Sequence, residues 1–259
     1  MIFLSFDIEE FDNPFPCSQQ LTFERQMSIS VEGTERILDL LSFHKVAATF
    51  FCTATFAVHA PQLIDRMVNE GHEVASHGYF HNRFEPVHLR QSREALEKLA
   101  GHPVTGFRMP NMGAVSVDDL VNAGYSYNSS LHPTYLPGKY NNFTKPRRIF
   151  REGPLYQIPA SVSPVVRLPL FWLALHNYPL PFYKMLAKAS LEKDGYLNLY
   201  FHPWEFIDLK QSGLDLPSYV KRNAGEAMSA RLGEVIAFFR AANESFGHLR
   251  ECSELFGQH

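Results

Sequence analysis

The stretch LSFDIEEF, residues 4–11, sets Asp7, Glu9 and Glu10 at the end of an apolar run that begins at Met1. A second stretch, HGYFH, puts His77 and His81 four residues apart, directly after the apolar EVAS. Arg108 follows GF, Asn128 follows YSY, and His202 follows NLYF. Two imidazoles and one carboxylate make a donor set that holds a divalent cation and leaves positions open for water and substrate. Such a cation brings the pKa of water toward neutrality and polarises a carbonyl oxygen, which is the chemistry of hydrolysis. Along an extended chain Asp7 and Glu9 project to one side and Glu10 to the other, so Glu9 is the expected carboxylate partner and Glu10 the fallback. His77 and His81, read as one helical turn, lie close enough to share an ion. Either feature alone has an ordinary explanation, a solvated acidic turn or a chance histidine pair. Together they point to a metal.

These residues share a position, because each closes a run with the pattern of a buried strand. IFLSF, VAATFFC (46–52), EVAS (73–76), GFRM, YSYN and YLNLYF (196–201) alternate with amphipathic segments. One helical stripe carries Ile37, Leu38 and Leu41, and another, opened by Pro61 and closed by Gly71, carries Leu63, Ile64, Met67 and Val68. Further helices are expected through Leu89, Leu96 and Leu99 up to Gly101, at 116–123, at 181–192, and through Met228, Leu232, Val235, Ile236 and Phe239. Strands alternating with helices predict a parallel sheet, and the carboxyl ends of parallel strands form the reactive face of such folds. Seven or eight units in 259 residues fit a closed α/β barrel of one domain, 1–259, better than an open sheet. From about 131 to 180 the rhythm weakens and prolines accumulate, which reads as an elaborated crossover with one strand near YQIPAS.

Composition narrows the partners. A net charge of -3 supplies no basic footprint, which argues against nucleic acid. With 45% hydrophobic and 20% charged residues a large core is expected and disorder is not. Cys17, Cys52 and Cys252 are odd in number and widely spaced, the pattern of buried thiols in a reducing compartment. The first strand starts at residue 2, and the most apolar stretch, LPLFWLAL at 168–175, is too short to span a bilayer. A cytoplasmic location is therefore expected. The apolar segment 163–183 reads first as a flap over the barrel or a contact between copies. Its sharper reading is an apolar ledge facing lipid-linked glycans.

Taken in order, SFDIEEF, SHGYFH, GFRMP, YNSS and YFHPWEF resemble the five motifs of the polysaccharide deacetylases, the NodB-homology carbohydrate esterases, over roughly residues 2–206. The resemblance implies a distorted, TIM-like (β/α) barrel, often seven-stranded, and metal-dependent removal of acetyl groups from an N-acetylated sugar. It implies Asp7 as general base, Glu9, His77 and His81 as metal ligands, Arg108 as the partner that orients Asp7 through two hydrogen bonds, and His202 as general acid. The expected cation is zinc, with cobalt, nickel or manganese also compatible. Pro110, Asn111 and Trp204 are the expected substrate-facing residues, Pro110 by stiffening its loop; Trp204 and Phe206 either stack on a sugar or pack. Asn128 stands where relatives tend to carry Asp. An amide there would orient His202 without supplying charge, so the expectation is a lower His202 pKa than in Asp-bearing relatives and reduced or acid-shifted activity. Glu205 is the alternative source of that charge. The expected substrate is an N-acetylated oligosaccharide or polysaccharide precursor, as in O-antigen or capsule synthesis. Two rivals remain: an allantoinase-like hydrolase of another amide, and an inactive glycan-binding module.

Overall fold

The computed structural model describes residues 1–12, 21–136, 138, 140–209, 214 and 216–252. Strand β1 (Ile2–Ile8) alternates strictly. Ile2, Leu4, Phe6 and Ile8 face the helices, while Phe3 packs with Phe51, Tyr127 and Tyr196 inside the curl of the sheet. Period-two alternation therefore aims Ser5, Asp7 and then Glu9 into the same interior, each further toward the carboxyl edge. Helix α1 (Phe23–His44) starts on the Thr22 hydroxyl and buries Ile37, Leu38 and Leu41. The β2 strand (Thr49–Cys52) leads into α2 (Ala54–His59), a helix with no clear period in the sequence that is started by the Thr53 hydroxyl. Helix α3 (Pro61–Asn69), β3 (Glu73–Ser76), α4 (Val87–Ala100), β4 (Gly106–Phe107), α5 (Val117–Ala123) and β5 (Tyr127–Asn128) follow as the apolar pattern predicts.

The stretch expected to hold one strand holds four short ones: β6 (Tyr135–Leu136) and β7 (Tyr140–Asn141) form an antiparallel hairpin, and β8 (Phe150–Glu152) pairs antiparallel with β9 (Leu155–Gln157). Helices α6 (Trp172–Asn177) and α7 (Leu180–Asp194) lead to β10 (Leu197–Phe201), and α8 (Ser218–Lys221), α9 (Glu226–Ala241) and β11 (Phe246–Gly247) complete the order. The main sheet runs β10-β1-β2-β3-β4-β5-β9-β8, with every pairing from β10 to β9 parallel. Seven parallel strands thus curl into a distorted barrel. No β9–β10 ladder closes it among the described residues. Instead the Ser161 N–H donates to the Asn198 carbonyl (2.9 Å), and the Asn198 amide donates to the Pro159 carbonyl (3.1 Å). The expected distorted barrel is present, its seam joined through Ser161 and Asn198 in place of a strand ladder.

One close approach positions the site. A Cβ on Gly33, in mid-α1, would lie 2.0 Å from the Pro203 carbonyl oxygen. Glycine there lets the turn after β10 sit directly against the helix.

Candidate active site

The carboxyl edge of the curl gathers residues from the ends of four strands. Glu9 is just past β1, His77 and His81 are in the loop after β3, Arg108 follows β4, and His202 follows β10. His77 and His81 are not on a helix, as their spacing had suggested. Gly78, at φ 84°, turns the chain between them into a loop, and the two rings stack at 5.7 Å. The Glu9 carboxylate receives both: Oε2 lies 3.2 Å from Nε2 of His77 and 2.8 Å from Nε2 of His81. Donor atoms of these three buried residues all lie within 4.8 Å of one another. Nδ1 of His77 donates to the Arg108 carbonyl (2.9 Å), so its Nε2 carries the lone pair when the ring is neutral. Nδ1 of His81 is 3.0 Å from Oδ1 of Asp12, an orienting carboxylate that sequence reasoning missed. Burial pushes the Glu9 carboxyl up, but attraction to His81 and the hydrogen bonds from both rings overcome it and hold the acid far below its usual range. Burial opposes charge on His81 too, and Glu9 with Asp12 raises that imidazole well above its ordinary value. Glu10 points elsewhere: Oε2 accepts from the Thr53 hydroxyl (2.7 Å) and Oε1 from the His81 N–H (3.4 Å), tying two loops together.

Arg108 crosses the interior fully buried, stacked at 4.1 Å over Phe51. Nη1 donates to Oδ1 of Asp7 at 2.6 Å, while Nη2 bonds the hydroxyls of Ser5 and Ser129 and Nε the Ser129 carbonyl. The guanidinium therefore holds Asp7 by one hydrogen bond, where two were expected, because serines take the other donors. Arg108→Ala leaves a buried carboxylate without its counter-charge, which costs about 3–5 kcal/mol. For a chain of this size that lowers Tm by roughly 10 °C, readable by calorimetry. A loss under about 1 kcal/mol would show that Asp7 is not sustained by this pair.

The second oxygen of Asp7, Oδ2, faces Nε2 of His202 at 3.9 Å. Nδ1 of His202 lies 2.9 Å from Oε1 of Glu205, in the turn Pro203–Phe206, and the His202 backbone N–H donates to the same oxygen at 2.6 Å. Behind it, Oε2 of the fully buried Glu205 is 3.4 Å from Nε2 of His176. Asn128 does not orient His202. Its amide donates to Oε1 of Gln157 (2.9 Å), and its oxygen accepts from the Ser130 hydroxyl. Relative to its ordinary value the His202 pKa is raised: burial pulls it down, but the Glu205 hydrogen bond and the Glu9 charge outweigh it. The sign follows directly. Removing the Glu205 anion favours neutral imidazole, so in Glu205→Gln the His202 ring titrates at lower pH by nitrogen-15 NMR. Asn128→Asp leaves that titration where it is. A shift in the second variant and none in the first would restore Asn128 to the role expected of it.

The substrate-facing expectations divide. Trp204 is 1% exposed and Phe206 fully buried, so neither offers a face to a sugar; Trp204 stacks behind His202 at 5.3 Å and packs on Trp172 at 5.0 Å. Pro110 is buried under the His77 loop, about 4 Å from where a Gly78 Cβ would sit, and acts as a support. Asn111 is exposed, in a left-handed conformation at φ 56°, and lines a cleft of about 630 Å3 with Asn128, Ser130 and Gln157. Cys17 lies outside the described residues; Cys52 and Cys252 are buried and free.

Comparison with known proteins bears on this arrangement. A family model described as polysaccharide deacetylase matches residues 17–127, the segment that carries His77, His81 and Arg108. A chitooligosaccharide deacetylase of Bradyrhizobium sp. (strain ANU 289) is 48% identical over 59 residues, 22% of this chain and 27% of that protein. A peptidoglycan-N-acetylglucosamine deacetylase of Bacillus cereus is 32% identical over 108 residues, 39% of this chain and 38% of that protein. The chain thus spans well under half the length of these curated relatives. Among solved structures, a polysaccharide deacetylase of Mycobacterium smegmatis superposes with a TM-score of 0.68 at 21% identity, over 98% of this chain and 88% of that one, a likeness of fold. The chain is thus similar to polysaccharide deacetylases over the segment that holds the histidine pair, and like one of them in fold along nearly its whole length.

Proposed function

We propose that the protein is a metal-dependent N-deacetylase acting on an N-acetylated sugar of a surface polysaccharide or its cytoplasmic precursor, such as an O-antigen or capsule. The observation that carries this reading is the convergence of Glu9, His77 and His81 beside an Asp7 whose free oxygen faces His202. The donor set fits a divalent cation. Both Nδ1 atoms are engaged by oxygen partners, both Nε2 atoms point at the Glu9 carboxylate, and that carboxylate is held charged. Zinc is the proposed ion, with cobalt, nickel and manganese suited to the same donors. Bound there, the cation would acidify a water molecule and polarise the acetamide carbonyl.

The chain's own residues supply the proton traffic. Oδ1 of Asp7 is fixed by Arg108, leaving Oδ2 to accept the proton of the attacking water. His202, kept protonated by Glu205, holds a proton at Nε2 for the departing amine. The two groups face one another at 3.9 Å on the same edge of the sheet. The relatives named for chitooligosaccharide and peptidoglycan deacetylation support an N-acetylated glycan as substrate. The free thiols Cys52 and Cys252 suit a reducing compartment, hence a precursor made inside the cell.

The test is acetate release from N-acetylated chitooligosaccharides by zinc-loaded protein and by the same protein after chelation. Release that stops on chelation and returns with zinc is expected. Oligosaccharide binding with no acetate at any pH would instead make the chain a glycan-binding module.

A further inference from the structure

We propose that a second site, an apolar groove beside the β6–β7 hairpin, binds the hydrocarbon chain of a phosphate-linked lipid, so that the sugar to be deacetylated arrives attached to a lipid phosphate. This inference rests on the deacetylase reading for the identity of the sugar end only. The groove encloses about 580 Å3 and is lined by Tyr135, Leu136, Phe143, Leu173, Tyr178 and Tyr219. That size is within the range of small-molecule sites. Its walls are wet: Tyr135 is 57% exposed, Tyr219 47% and Val166 61%. Aromatic and branched side chains collected around one concavity and left in water mark a binding surface.

The rim is built at a conformational cost. Val165 and Arg167 both adopt left-handed backbone, at φ 65° and 52°. For a β-branched valine this is a genuine outlier, and such strain persists only where the surroundings impose it. Here the Ser163 N–H donates to the Leu168 carbonyl (2.8 Å) and the Leu168 N–H to the Ser163 hydroxyl (2.9 Å), clamping the turn. The effect is to hold Val166 and Arg167 over the groove, where both line it.

Charge identifies the occupant. The Arg167 guanidinium donates to the Lys145 carbonyl (2.6 Å) and lies 5.2 Å from the Phe143 ring. Among the described residues no carboxylate forms an ion pair with Lys145 or Arg167. An apolar trough whose lining includes the Arg167 guanidinium, with Lys145 on the adjoining cleft, complements an anion joined to an aliphatic tail. Continuity gives the direction. The segment whose Phe143 lines the groove also sends Asn141, Asn142 and Lys145 to the polar cleft of Asn111 and Asn128. Tail in the groove, phosphate at Lys145 and Arg167, and sugar toward the cleft follow one path over the hairpin.

The test is calorimetric titration of the full chain with n-dodecyl phosphate below its micelle concentration, against dodecyl maltoside and inorganic phosphate. Dodecyl phosphate is expected to bind one to one, with the neutral amphiphile about tenfold weaker because it lacks the charge-assisted contacts. Val166→Glu and Arg167→Gln are each expected to weaken dodecyl phosphate about tenfold while thermal melting is unchanged. Equal affinity in both variants would overturn the site. So would association with anionic vesicles but not with the monomeric probe, which marks a membrane surface, or a concentration-dependent dimer that the probe fails to dissociate. Acetate release from soluble oligosaccharide without dodecyl phosphate binding would remove the groove alone. Binding without acetate release from any N-acetylated sugar would leave the groove standing and remove the deacetylase reading.

Discussion

His81→Ala is expected to cost the protein its cation and about 10^3-fold in kcat/KM, since the several kcal/mol of charge stabilisation a bound metal supplies convert at one decade per 1.36 kcal/mol. His81 is the closer of the two imidazoles to Glu9, at 2.8 Å, and Asp12 fixes its far side. Removing it leaves one imidazole and one carboxylate, too few protein donors for a catalytic zinc. A graded companion sharpens the case. Asp12→Asn keeps the ring but weakens its orientation, and is expected to lower metal affinity about 10- to 100-fold with a smaller fall in rate. Metal content by elemental analysis, alongside acetate release, reads both variants. Full metal occupancy with parental rate in His81→Ala would remove His81 from the site.

The second large effect belongs to Asp7. Asp7→Asn preserves shape and still accepts the 2.6 Å hydrogen bond from Arg108, whose other donors stay on Ser5 and Ser129, so the fold and the cation are expected to survive with a lowered Tm. What the amide cannot do is take a proton, and loss of a general base lowers kcat by about 10^3. The two variants thus separate: His81→Ala loses metal and rate, Asp7→Asn loses rate and keeps metal. An Asp7→Asn protein retaining most of its kcat would mean that the proton goes to another acceptor. Glu10 is a poor candidate, because Thr53 and the His81 N–H already engage it.

What could be read from the amino-acid pattern was whatever depends on local period. Alternation along β1 separated Glu9 from Glu10, and the structure turns Glu9 toward both imidazoles while Glu10 braces the loops. The ends of apolar runs pointed to His77, Arg108 and His202, because parallel strands deliver their last residues to one edge. Contacts made across the barrel had no local signature. Ser5, Ser129 and Asn198 line the interior around Arg108 and meet only when strands far apart in sequence curl together. Asp12 carried a signal that went unused: it lies three residues past Glu9 in the same acidic stretch. The exchange of Asn128 for Glu205 turned on a backbone detail, the tight turn at Pro203–Phe206 that folds Glu205 back onto His202. A residue three positions on is ambiguous until that turn is known. Segment 131–180 stayed opaque because its strands are two or three residues long, shorter than any hydrophobic period can reveal.

Anomalous diffraction at the zinc edge, from crystals of zinc-loaded protein, tests the central claim most directly. The expected result is one strong peak about 2.0–2.2 Å from a Glu9 oxygen and from Nε2 of both His77 and His81. A peak elsewhere on a protein that releases acetate, or one that leaves either histidine uncoordinated, would contradict it.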